Sequence, residues 1–129
     1  MKKFLPSVLA LLVLTVIATQ VKSEQVNTQT FASFWIEFKA AVAKNDKESV
    51  AAMTNFPFSL DKELTKAEFI KRYNEIFTPK IQRCFVRAKP VKEVVVDGYS
   101  VFCGKEIYAF ERMEGKYKFT SVGADDADD

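Results

Sequence analysis

The chain contains no histidine among its 129 residues. That absence excludes every mechanism built on imidazole: Ser-His-Asp and Cys-His triads, His-ligated zinc, His proton shuttles and haem held by a proximal His. Cysteine is nearly absent as well, with two residues and no Cys-x-x-Cys spacing, so a dithiol redox motif is missing and a cysteine nucleophile has no imidazole base. No charge of one sign dominates. Nineteen Lys and Arg stand against seventeen Asp and Glu, and the small basic excess forms no stripe, so nucleic acid is not an expected partner. The one long apolar run, Phe4 to Ala18, covers fifteen positions and falls short of the roughly 20 residues that span a hydrocarbon core. No internal repeat or linker-like stretch interrupts the chain, and its length supplies one small domain.

That apolar run follows the basic start Met1-Lys2-Lys3 and precedes Val21-Lys22-Ser23, the layout of a secretory signal peptide over residues 1–23, with cleavage expected after Ser23. Neither cysteine lies at this boundary, so no thiol is placed there for a lipid. The expected destination is periplasmic or secreted, in a bacterial setting, without stable membrane insertion after cleavage. Losing residues 1–23 removes Lys2, Lys3 and Lys22, which turns the net charge from +2 to −1. Four of those negative charges sit in the last six residues, 124–129, an Asp/Ala tail with no apolar surface to bury and expected to be disordered. Residues 24–123 are then the folded domain.

Within it, Phe31, Phe34, Trp35, Phe38, Ala41 and Val42 recur at helical spacing and predict an amphipathic helix with an aromatic stripe. Asp46 is placed to cap a second, shorter helix through Val50 and Met53. Pro57 disfavours helix at Phe56, so Phe56 to Leu60 reads as a short edge strand or extended connector. Thr65 and Glu68 form a capping box ahead of a third helix carrying Phe69, Tyr73, Ile76 and Phe77 on one face. Thr78-Pro79 opens a short turn to about Arg83. Beyond it, β-branched and aromatic residues predict strands at Phe85-Val86, Val94 to Val96, Tyr99 to Cys103, Ile107 to Phe110 and Tyr117 to Val122, joined by turns at Asp97-Gly98, Gly104-Lys105 and Glu114 to Lys116. Helices first and an antiparallel meander second give an α+β domain with helices on one face of the sheet.

Two cysteines in an exported chain pair in one way only, and a Cys84–Cys103 disulfide is expected; two buried thiols are the alternative. Trp35, Phe38, Phe58, Tyr73, Phe77, Tyr99 and Tyr108 are candidates to line a ligand pocket, because flat side chains grip apolar or ring-shaped ligands and phenols orient them; packing in the core explains the same stripe. Arg83, Arg87, Lys89 and Lys92 form a candidate positive patch, or equally a solvated face. No cofactor or metal ligand set is read from the sequence.

The aromatic first helix with Phe34 to Phe38, the second helix ending in Phe56-Pro57-Phe58, the third helix Glu68 to Phe77, and strands closing with Glu111 to Phe119 together resemble the nuclear-transport-factor-2-like superfamily. The resemblance implies a cone in which a curved antiparallel sheet wraps a long helix, often with a pocket at the wide end. Its enzymes place an Asp or His base and a Tyr or Asp donor in that pocket, whereas other members only bind ligands or proteins. Here Phe and Trp occupy the inward stripe and His is missing. Asp61 is the one acid to nominate as a base, and it has no identifiable partner in the sequence; a solvated loop acid is the simpler reading. Fold alone supplies no function. Three classes follow in order. The first is a non-catalytic exported binding module for a small apolar ligand or a protein partner, of inhibitor or immunity type, with a homodimer left open. The second is a pocket enzyme of isomerase or hydrolase type using carboxylate and Tyr, and the third a structural envelope protein.

Overall fold

A computed structural model describes residues 29–125; the expected leader, residues 1–23, and Asp126 to Asp129 of the expected tail lie outside them. Helix α1 (Phe31–Ala43) starts where the Thr30 side chain accepts the Ser33 N–H. Helix α2 (Lys47–Ala52) is capped by Asp46, whose carboxylate takes both the N–H and the hydroxyl of Ser49. Strands β1 (Thr54–Ser59) and β2 (Glu63–Leu64) follow, then α3 (Lys66–Lys71) behind the Thr65–Glu68 capping box, α4 (Tyr73–Ile76) and α5 (Pro79–Arg87). Strands β3 (Val91–Lys92), β4 (Gly98–Cys103), β5 (Glu106–Met113) and β6 (Lys116–Ala124) complete the chain.

The domain is α+β, but its sheet is mixed and open, in the order β2-β1-β6-β5-β4-β3. β4 to β6 form the expected antiparallel meander, and β3, at Val91–Lys92 and not at the valines that follow, extends it. β1 was expected at an edge and lies instead between β2 and β6, parallel to β6. Local sequence carries no trace of that pairing, because a parallel neighbour is reached only through a long crossover. The third helix breaks in two at Arg72, yet Phe69, Tyr73, Ile76 and Phe77 all remain buried. Phe85 and Val86 are helical, not strand: Pro79 opens α5, and Ile81 and Phe85, four residues apart, anchor it to the core. Ala124 belongs to β6 and the Asp125 N–H donates to the Lys105 carbonyl, so ordered chain extends into the segment expected to be tail.

The core is aromatic. Phe38 packs against Phe34, Trp35, Phe77, Phe85, Phe110 and Phe119, with ring centroids between 5.0 and 6.3 Å. Each such side chain contributes about 1.5–3 kcal/mol on burial. The broken alternation in the last strand has a local cause. Phe119 pairs with Phe110 and Ser121 with Ala109, so Thr120 is extra and the parity flips. Tyr117 and Phe119 before the bulge and Val122 after it therefore face the same core.

The disulfide joins Cys84 on α5 to Cys103 at the end of β4, with Cα atoms 5.9 Å apart. It fastens the last helix to the meander across a loop whose closure is worth about 3 kcal/mol in the chain-entropy picture.

Candidate functional site

The strand expected at Val94 to Val96 does not exist: these residues form the tip of the β3–β4 hairpin. Lys92 pairs with Tyr99, and the Glu93 N–H donates to the Gly98 carbonyl at 2.9 Å. Gly98 is not in the turn, where an Asp-Gly pair would put it. It lies in β4, where an added Cβ would collide with the Phe110 carbonyl oxygen. The close approach of β4 to β5 thus claims the glycine, and the turn moves back onto the valines. Val94 is 98% exposed and Val95 94%. β-Branched residues favour extended, half-buried positions, so a hairpin tip made of them is a local conflict of the kind that marks functional surfaces.

The base of this hairpin is clamped. Asp97 accepts from Arg112 Nε at 2.7 Å and from the Tyr117 hydroxyl at 3.0 Å. The Tyr117 oxygen in turn accepts from Arg112 Nη2 at 2.9 Å. Arg112 also reaches the Gln29 carbonyl, and the Gln29 side chain accepts the Tyr117 N–H at 2.9 Å. One network therefore ties the hairpin, β5, β6 and the entry to α1. Between the hairpin and this network lies an open cleft of about 620 Å³, lined among others by Phe31, Tyr99, Arg112 and Tyr117. A neighbouring cleft of about 420 Å³ shares Thr30, Phe31 and Tyr99 and adds Ala32, Trp35 and Pro90. The Phe31 and Tyr99 rings stack at 3.8 Å between them.

Of the seven aromatic candidates, Trp35 and Tyr99 reach these clefts. Phe38, Phe58, Tyr73, Phe77 and Tyr108 are buried in the core. The Tyr108 hydroxyl donates to the Ile76 carbonyl, and burial pushes its ionisation far up. The Tyr73 hydroxyl is buried and has no hydrogen-bond partner among the described residues, and desolvation pushes it up to about 12. Asp61 does have a partner, contrary to the reading of the sequence: Arg72 donates to both its oxygens at 2.7 and 3.0 Å and holds its carboxyl below the usual range. Arg72 binds Glu75 as well. The expected basic patch is divided. Arg83 and Arg87 line a cleft on α5 with Lys80, Cys84 and Val86, whereas Lys92 lines the valine cleft.

A carboxylate and a tyrosine do meet in a cleft, at Asp97 and Tyr117, a pair the sequence reading missed because the hairpin, β5 and β6 must converge to bring it together. The Tyr117 hydroxyl and the Arg112 guanidinium hold Asp97 below the usual carboxylate range, while burial pushes the Tyr117 phenol up. A general base works best with a pKa near the working pH. This pair is shifted the other way, toward a fixed ion and a fixed phenol. Their bonds to each other and to Arg112 clamp the hairpin base to β5 and β6. Among the described residues no group of three or more His, Cys, Asp and Glu is placed to hold a metal ion, and no helix is long and apolar enough to cross a membrane.

No family model, curated protein or solved structure matches the chain.

Proposed function

We propose that the chain is an exported, non-catalytic binding module that meets its target with the valine hairpin and the cleft beside it. The observation that carries this reading is the exposure of Val94 and Val95 at the tip of a hairpin whose base is fixed by the Asp97–Arg112–Tyr117 network. Exposed apolar residues held on a rigid support favour binding of an apolar-surfaced target, since little ordering entropy remains to be lost on contact. The filled aromatic interior supports recognition at the surface over enclosure of a ligand. A periplasmic or secreted setting is favoured by the leader-like start and by the disulfide. The order of elements, with a long aromatic helix against the sheet, supports assigning the domain to the nuclear-transport-factor-2-like plan.

Site-specific photo-crosslinking in the exporting cell tests the reading. A photoreactive residue at Val95 is expected to give a discrete adduct, to protein or to lipid, that the same residue at exposed Asn74 on α4 does not give. Identical adducts at both positions, or none at either, would reject the hairpin as the binding surface.

A further inference from the structure

Both acids that bracket the valines are engaged by neighbouring side chains, although Asp97 itself stays exposed. Glu93 accepts the Ser100 hydroxyl, and Asp97 is engaged by Arg112 and Tyr117. Val94 and Val95 remain exposed at the tip, and Lys92 lines the same cleft as they do. Arg87, Lys89, Val91 and Lys92, which lead into the hairpin, are all exposed. Among the described residues the side chains of Arg87, Lys89 and Lys92 enter no ion pair or hydrogen bond. From Lys80 to Val96 the chain carries five cations against the single acid Glu93.

A protein groove would have to fit a protruding tip closely on all sides to desolvate Val94 and Val95. A bilayer interface does so without shape complementarity. Long basic side chains beside such a tip extend along the surface and place their charges at the level of lipid phosphates. Resting on the reading of the hairpin as the binding surface, we propose that its occupant is an anionic lipid membrane surface: Val94 and Val95 enter the boundary between headgroups and acyl chains, and Lys92 and Lys89 contact lipid phosphates. The association is peripheral and reversible, because two small side chains and a few charges make a shallow anchor.

The exported form, purified from the exporting cells, is to be sedimented with vesicles containing phosphatidylglycerol and with vesicles of phosphatidylcholine alone, at low and at high salt. Binding to the anionic vesicles is expected, weakened by salt and about fivefold by each of Lys89→Gln and Lys92→Gln. The double variant Val94→Ser, Val95→Ser is expected to bind at least about tenfold more weakly while melting at the parent's temperature, since both side chains lie outside the core. Failure to sediment with anionic vesicles, equal sedimentation with phosphatidylcholine, or undiminished binding by the serine variant overturns the proposal. If the vesicles are ignored while Val95 still crosslinks to one protein, the lipid proposal falls and the hairpin surface stands. If neither vesicle nor crosslink responds, both fall.

Discussion

Truncation of Trp35 to Ala separates a residue that plugs the core from one that merely borders a cleft. Trp35 is 7% exposed. Its indole is tilted against Phe85 at 5.4 Å, meets the edge of Phe110 at 5.6 Å and stacks on Phe31 and Phe38. Removing it deletes the shared wall of α1, α5 and β5, and the rings around it are too firmly held by one another to close the gap. The expected loss is about 3–5 kcal/mol, as for other large-to-small changes in cores, a substantial part of the roughly 5–15 kcal/mol that holds a domain together. Urea unfolding followed by far-UV circular dichroism is the suitable assay, because Trp35 is the chain's only tryptophan and its fluorescence is lost with it. With a slope of about 2 kcal/mol per molar, the midpoint should fall by roughly 2 M. Trp35→Phe, which keeps most of the apolar volume, should lose about half as much and remain measurable if the alanine variant does not fold. Val95→Ser, changed in the same way at the hairpin tip, should stay within about 0.5 kcal/mol of the parent. A Trp35→Ala loss below about 1 kcal/mol would refute the reasoning, since it would mean that the indole lines open space and supports nothing.

Replacing Cys84 and Cys103 together by Ser should lower stability by about 3 kcal/mol, through the loop that the bond closes in the unfolded chain, and alkylation of the parent without reductant should modify neither thiol. Asp97 ionises more readily in the folded state, because the Tyr117 hydroxyl and Arg112 favour its charged form; its contribution is full above the usual carboxylate value of 3.8 and is lost as pH falls through its lower folded value. Melting temperatures recorded from about pH 5 to about pH 2 should therefore fall less steeply in Asp97→Asn than in the parent, and parallel curves would remove the clamp from the account. N-terminal sequencing of exported material should begin at Glu24, and an intact Met1 in a membrane pellet would reject the leader.

The parts of this fold legible from sequence are those specified within one or two helical turns or one hairpin. Thr30, Asp46 and Thr65 each start a helix with a side chain that accepts a backbone N–H three residues on, and the aromatic stripe of α1 follows from the spacing of its own residues. The Gly104 and Glu114-Gly115 turns likewise carry the positive φ that their residues tolerate, so β4, β5 and β6 emerge in their places. Counting the two cysteines of a chain with a leader-like start pointed to the disulfide, though only the packing of α5 on β4 brings the two residues within bonding reach. Tertiary structure decided the rest, because it depends on what comes from far along the chain. Phe85 is helical since Trp35, Phe38 and Tyr108 receive its ring, and β1 is interior since β6, more than fifty residues later, pairs with it. The valines look like a strand in isolation, but Gly98 is taken by the close contact of β4 with β5, which leaves Val94 to Val96 in the turn. Asp97, Arg112, Tyr117 and Gln29 meet only when the hairpin, two strands and the start of α1 converge, and no spacing along the chain encodes that convergence.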